Sequence, residues 1–172
     1  LGGVTIAQLN NPGTPVIMGI CPSTMDLRQG INLYFEAEMM TIQVASGQLG
    51  DFYDIPIFGH GGTTNAYSMD FQAGMESALT LYGSVLGGQN FIHDIGFAGH
   101  SDVGSLELIT LVDEMIGMID QMVNGMPVNT ETLALKIIQN VDHGDNFLGE
   151  QHTKKHGREL FLGDLLDVVP ES

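Results

Sequence analysis

The chain has 172 residues, 43% hydrophobic and 15% charged, which is apolar surface enough for one packed domain and too little for two large ones. Its 21 acids against 5 bases leave a formal charge of -16, which excludes a nucleic-acid role, because phosphate contacts need clustered Lys and Arg. Cys21 stands alone, no apolar run approaches the roughly 20 residues of a membrane span, and no basic segment precedes an apolar one, so the chain is expected to be cytoplasmic, without a disulfide and off the membrane. It begins at Leu1 rather than Met and reads as a piece of a longer protein.

The apolar segment Val4 to Leu9 leads into the turn Asn10-Asn11-Pro12-Gly13. The run Pro15 to Ile20 that follows is continuously apolar rather than alternating, which predicts a strand buried on both faces, as in parallel sheets. From Phe35, the positions Met39, Ile42, Leu49 and Phe52 recur at helical spacing and predict an amphipathic helix ending near Asp51. Pro56-Ile57-Phe58 reads as a short strand and Gly59 to Thr64 as a Gly-rich loop. Asp70 is placed to cap a helix whose inner stripe is Phe71, Ala78, Leu81, Tyr82 and Val85, ended by Gly87-Gly88. Asn90 to Ile95 is the next strand and Gly96 to Gly104 a polar loop. Ser105 then caps a long helix using Ile109, Val112, Ile116, Ile119 and Val123. Beyond Gly125, Asn129-Thr130-Glu131 marks a helix start leading to Leu133, Ile137, Ile138 and Val141. The polar tail from Asp142 carries a short helix near Leu160 to Leu166, and Lys154, Lys155 and Arg158 form a solvated face.

Strands alternating with helices predict an α/β fold with a parallel sheet, either open or closed into a barrel. Residues 1–141 supply three to four βα units, and residues 142–172 a C-terminal helical tail of the same domain. That number of units cannot close an eight-stranded barrel, so an upstream segment or a partner must complete it, and a homo-oligomer is expected. The Gly-rich loop has neither the G-x-G-x-x-G order nor a Walker lysine, which argues against a phosphate cradle.

Four elements then appear in order: Asn11-Pro12-Gly13-Thr14-Pro15-Val16, Met25-Asp26-Leu27-Arg28, Asp70-Phe71-Gln72-Ala73-Gly74-Met75-Glu76, and Asn146-Phe147-Leu148 with His152-Thr153. Together they resemble the C-terminal half of the trimethylamine methyltransferase family, whose members carry NPGTPV, an MDLR-like element, DxQAGxE and a late FLxxxHT. The resemblance implies the C-terminal part of a (β/α)8 TIM-type barrel and a methylated amine as substrate. It further implies a corrinoid cofactor carried by a separate corrinoid protein, whose cobalt accepts the methyl group. Family members acting on trimethylamine carry pyrrolysine, and some relatives without it demethylate quaternary amines such as glycine betaine. Only the twenty ordinary residues occur here, which favours a quaternary-amine relative.

A quaternary ammonium leaves as a neutral amine and needs no proton, so the protein's work is to position the cation. Aromatic faces and carboxylates attract a cation without donating a proton. In a barrel the site lies at the C-terminal ends of the strands, here Cys21 to Ser23, Phe58 to Thr64 and Asp94 to Ser101. On that ground His60, Phe58, Tyr67, His93 and Phe97 are the candidate substrate-binding residues. His60 leads, because the glycines around it let backbone and ligand approach closely. Asp70 reads as a helix cap, and Asp26 with Arg28 as an ion pair on the rim. No catalytic residue is assigned. His152 and His156 are spaced i, i+4, but Thr153 breaks the H-E-x-x-H pattern, so no metal site is assigned either. The alternatives are a metal-assisted hydrolase on a TIM-type barrel using some of His60, His93, His100, His152 and His156, and a non-catalytic quaternary-amine binding module.

Overall fold

The computed structural model describes residues 1–163 and Leu165. The chain forms two compact units, one from Leu1 to Ile116 and one from Gly117 onward. The first contains α1 (Gly2–Asn10), β1 (Met18–Gly19), β2 (Thr24–Asp26), β3 (Ile31–Leu33), α2 (Ala37–Tyr53), β4 (Ile57–His60), α3 (Phe71–Leu86), β5 (Phe91–His93), β6 (Phe97–Ala98) and β7 (Val103–Gly104). The boundary falls within α4 (Leu106–Asn124), and the second unit continues with α5 (Leu135–Asn140) and α6 (Gln151–His156).

A three-stranded sheet in the order β1-β4-β5 carries the α/β character. Both its pairings are parallel, with Met18 opposite Ile57 and His60 opposite His93. The continuously apolar run at 15–20 therefore does enter a parallel sheet, but only Met18 and Gly19 pair. β4 extends to His60, taking two residues that the sequence assigns to the Gly-rich loop. β2 with β3, and β6 with β7, form two antiparallel hairpins. The described residues contain no closed barrel. They contain no helix long and apolar enough to cross a membrane.

The inner faces of the two helices flanking β4 differ from expectation. On α2 the buried residues are Met39, Gln43, Ser46, Gly47 and Gly50, whereas Ile42, Leu49 and Phe52 are exposed. The cause is close packing against α3. A Cβ on Gly47 would overlap the Gly87 carbonyl, so no large side chain fits at that crossing. On α3 the buried face is Ala73, Glu76, Ser77, Thr80, Leu81 and Ser84. Leu81 alone of the expected stripe is buried, and Phe71 is 99% exposed. Along α4, Leu108, Val112 and Ile119 are buried while Ile109, Ile116 and Val123 are exposed.

Helix ends follow the expected chemistry more closely. Asp70 accepts hydrogen bonds from the Gln72 and Ala73 N–H groups, and Ser105 Oγ accepts from Leu108 N–H at 3.1 Å. Asn129 accepts from the Glu131 and Thr132 N–H groups, but the chain makes only a turn there. The helix begins later, at Leu135, after Ala134 adopts φ 51°. In the tail the helix lies at Gln151–His156, residues 160–163 are not helical, and Asp164 and Leu166 fall outside the described residues.

Candidate functional site

Parallel strands all present the same end, and three chemically capable side chains gather at the C-terminal end of this sheet. Cys21 comes two residues after β1, His60 closes β4, and Asp94 directly follows β5. Their donor atoms lie within 4.8 Å of one another. Cys21 Sγ is 3.2 Å from His60 Nδ1. His60 is fully buried, with the Tyr34 ring edge-on at 6.1 Å, and its Nε2 has no hydrogen-bond partner. Asp94 sits at φ 68°, a left-handed conformation that Asp tolerates better than most residues and that concentrates at functional sites. His93 Nδ1 contacts the Asp94 carboxylate at 2.7 Å, and the Phe58 ring stacks on His93 at 4.2 Å with an interplanar angle of 13°.

Burial and charge set the protonation states. Partial desolvation, followed by the negative field of Asp94, pushes the Cys21 thiol above its ordinary range. Desolvation pulls His60 below the usual histidine value; Asp94 opposes that shift and His93 adds to it. The pair is thus a neutral imidazole beside a protonated thiol, not the thiolate and imidazolium of a cysteine nucleophile.

Of the five expected substrate-binding residues, the structure brings three together. Phe58, His60 and His93 stand on two neighbouring strands, with the Phe58 ring exposed and His60 buried. Tyr67 stands elsewhere, its ring 5.7 Å from His100 and its hydroxyl donating to Asp102 at 3.4 Å. Phe97 is on β6, partly exposed, with its carbonyl accepting the Thr64 N–H. The space beside the loop glycines is filled by protein. A Cβ on Gly59 would strike the Gln89 side chain, and one on Gly61 would lie 2.9 Å from the Leu81 backbone. These glycines let the strand end and its loop pack tightly. Cys21 and Asp94 lie in the strand-end segments 21–23 and 94–101 that mark the site in the sequence, but neither is among the five substrate-binding candidates.

The scaffold behind these groups is polar. His60 O accepts from Gln43 Nε2 of α2 at 3.0 Å and from Ser84 Oγ of α3. Thr80 Oγ1 accepts the Gly62 N–H at 3.1 Å. Buried Glu76 accepts from Thr64 Oγ1 at 2.6 Å, from Asn65 N–H at 2.7 Å and from Gln72 Nε2 at 2.8 Å. Asn65 Oδ1 in turn accepts the Tyr34 N–H at 2.8 Å. Gln72 and Glu76 thus lock the segment that follows β4, which is why the inner face of α3 is polar. Asp26 accepts the Arg28 N–H at 2.8 Å and Gln29 Nε2 at 3.2 Å, closing the β2–β3 turn instead of pairing with the Arg28 guanidinium. His152 and His156 lie on α6 with ring centroids 4.3 Å apart, beside Glu131 and Lys155.

A parallel α/β sheet with donor and aromatic side chains beyond the carboxyl ends of its strands has the general plan of an α/β enzyme. The trimethylamine methyltransferase (MTTB) family profile matches residues 1–168, and the chain belongs to that family. It is 36% identical over 169 residues to a glycine betaine methyltransferase of Desulfitobacterium hafniense (strain Y51), an alignment covering 97% of this chain and 35% of that protein. It is 35% identical over 155 residues to the trimethylamine methyltransferase MttB1 of Methanosarcina acetivorans, covering 90% of this chain and 31% of that protein. A trimethylamine methyltransferase MttB of Desulfitobacterium hafniense (strain DCB-2) is 30% identical over 167 residues. The chain spans about a third of the length of these curated relatives.

Proposed function

We propose that the protein carrying this chain transfers a methyl group from a methylated amine to a corrinoid held by a separate protein. The observation that carries the reading is the family match over residues 1–168, joined to relatives named for trimethylamine and for glycine betaine. The exposed Phe58 ring, stacked on His93 beside the Asp94 carboxylate, supports it, because an aromatic face and a carboxylate together hold a methylated ammonium. In this reading Phe58 and His93 face the cation with buried His60 beside them, Phe97 lies on the rim, and Tyr67, packed on His100, stands apart. The corrinoid supplies a nucleophilic cobalt that accepts the methyl group. The residues of this chain orient the amine so that one methyl points outward from the strand ends. A quaternary amine such as glycine betaine fits a site that offers carboxylate and aromatic groups, since it leaves without a proton.

The sheet is completed by the rest of a TIM-type barrel, so the 172 residues alone are inactive. Ile42, Leu49 and Phe52, exposed on α2, support self-association, which sedimentation of the full-length protein checks. The test of function supplies the protein at its full natural length with a corrinoid protein and either glycine betaine or trimethylamine, and follows the demethylated amine by mass spectrometry. Turnover of at least one amine is expected, with Phe58→Ala raising its KM while the fold stays intact. No demethylation of either amine, or a Phe58→Ala protein with unchanged KM, would overturn the respective part of the reading.

A further inference from the structure

The group at the strand ends has a second property besides amine binding. Cys21, His60 and Asp94 bring electron-pair donors within 4.8 Å of one another, and they come from three separate strand ends. We propose that Cys21, His60 and Asp94 bind one divalent transition-metal ion, zinc by chemistry of choice, with a fourth position open to water. A sulfur, an imidazole nitrogen and a carboxylate oxygen form a borderline donor set of the kind zinc takes, and three protein ligands with one open position is the pattern of catalytic rather than structural zinc.

The distances fit. Zinc bonds of about 2.0–2.3 Å in a tetrahedron put donor atoms about 3.3–3.8 Å apart. Here Cys21 Sγ and His60 Nδ1 are 3.2 Å apart, and the whole set lies within 4.8 Å. Closing around an ion therefore needs a movement of about 1 Å, within the reach of side-chain rotation at Asp94.

The surroundings are those of a supported ligand set. His93 holds the Asp94 carboxylate at 2.7 Å and is itself braced by the Phe58 ring, as outer partners orient metal-binding carboxylates. His60 is fixed by burial and by the anchoring of its carbonyl to Gln43 and Ser84. With the Cys21 thiolate and the Asp94 carboxylate bound, the centre is neutral; Asp94 then holds the ion, and the exposed Phe58 ring is what meets a cationic amine beside it. The proposal does not rest on the methyltransferase reading, and its test does not use turnover.

The protein at full natural length is stripped with a chelator and titrated with Co2+. One equivalent should produce the near-ultraviolet thiolate-to-cobalt charge-transfer absorption, and Zn2+ should displace it. Cys21→Ser should abolish that absorption. Asp94→Asn, which keeps a residue tolerant of the left-handed backbone, should weaken Co2+ binding about tenfold or more. His152→Ala should leave the titration unchanged. Wild-type protein folded by circular dichroism but lacking the absorption overturns the proposal, as does an absorption that survives Cys21→Ser. Should Cys21→Ser fail to fold, Asp94→Asn decides: unchanged Co2+ affinity in that variant overturns the assignment.

Discussion

Replacing Glu76 by Ala tests whether the polar interior of α3 holds the segment beyond β4. The carboxylate accepts from Thr64 Oγ1, Asn65 N–H and Gln72 Nε2, and Glu76 itself is 5% exposed. Hydrogen bonds to a charged acceptor contribute about 1.5–3 kcal/mol each. Those from Thr64 and Asn65 lose their acceptor in a buried setting, whereas Gln72 is exposed and can turn to water. Two such losses sum to about 3–6 kcal/mol, and partial entry of water brings the expected cost to about 3–5 kcal/mol. Glu76→Gln keeps the shape and one acceptor oxygen, and a flipped Gln72 amide can meet its new N–H group. Its cost should be about 1–2 kcal/mol. Urea unfolding measures the global effect, and amide exchange at Asn65 and Tyr34 reads the local one, because Asn65 passes the restraint on to Tyr34. A Glu76→Ala protein that unfolds within about 0.5 kcal/mol of the parent and keeps its Asn65 protection would refute the reasoning.

Further substitutions probe other joints of the fold. Gly47→Ala should destabilise by about 1–3 kcal/mol in thermal unfolding although Ala is the better helix former, because its Cβ meets the Gly87 backbone; a rise in Tm would show that the helices can separate freely. Asp70→Ala should cost about 1 kcal/mol through loss of the α3 cap, whereas Asp70→Asn should cost little, and equal costs would assign the effect to charge instead of capping. Glu131 is held below the ordinary carboxylate range, first by its hydrogen bond from Lys155 and then by that residue's charge. Lys155→Met should therefore raise the Glu131 pKa, as followed by NMR titration. Because the folded-state value is depressed, whatever stability this pair contributes is present at neutral pH and is lost as pH falls through the carboxylate range. An unmoved Glu131 titration in Lys155→Met would contradict the contact.

Much of the local plan is legible in the residues themselves. The continuously apolar run at 15–20 and the strand at 90–95 each contribute to the parallel sheet, Asp70 and Ser105 cap helices, and Gly87-Gly88 ends one. These features depend on neighbours within a few positions, where side-chain chemistry and backbone geometry act directly. The order of the NPGTPV, MDLR, DxQAGxE and FLxxxHT elements also carried the family, which residues 1–168 then matched.

The inward faces of α2 and α3 were not legible, because hydrophobic spacing assumes that the apolar stripe meets the core. Tertiary packing reversed it: Gly47 had to approach Gly87, and Glu76, Thr80 and Ser84 had to satisfy backbone and side-chain groups from His60 to Asn65. The candidate site divides in the same way. The sequence by itself placed Phe58 and His93 on strands and Cys21 just beyond one, but it assigned His60 to a loop, and only the structure ends the strands at His60 and just before Asp94. Only the parallel register, with His60 opposite His93 and Met18 opposite Ile57, decided that Cys21, His60 and Asp94 converge, because a distance between residues 39 positions apart is set by strand pairing and not by spacing along the chain.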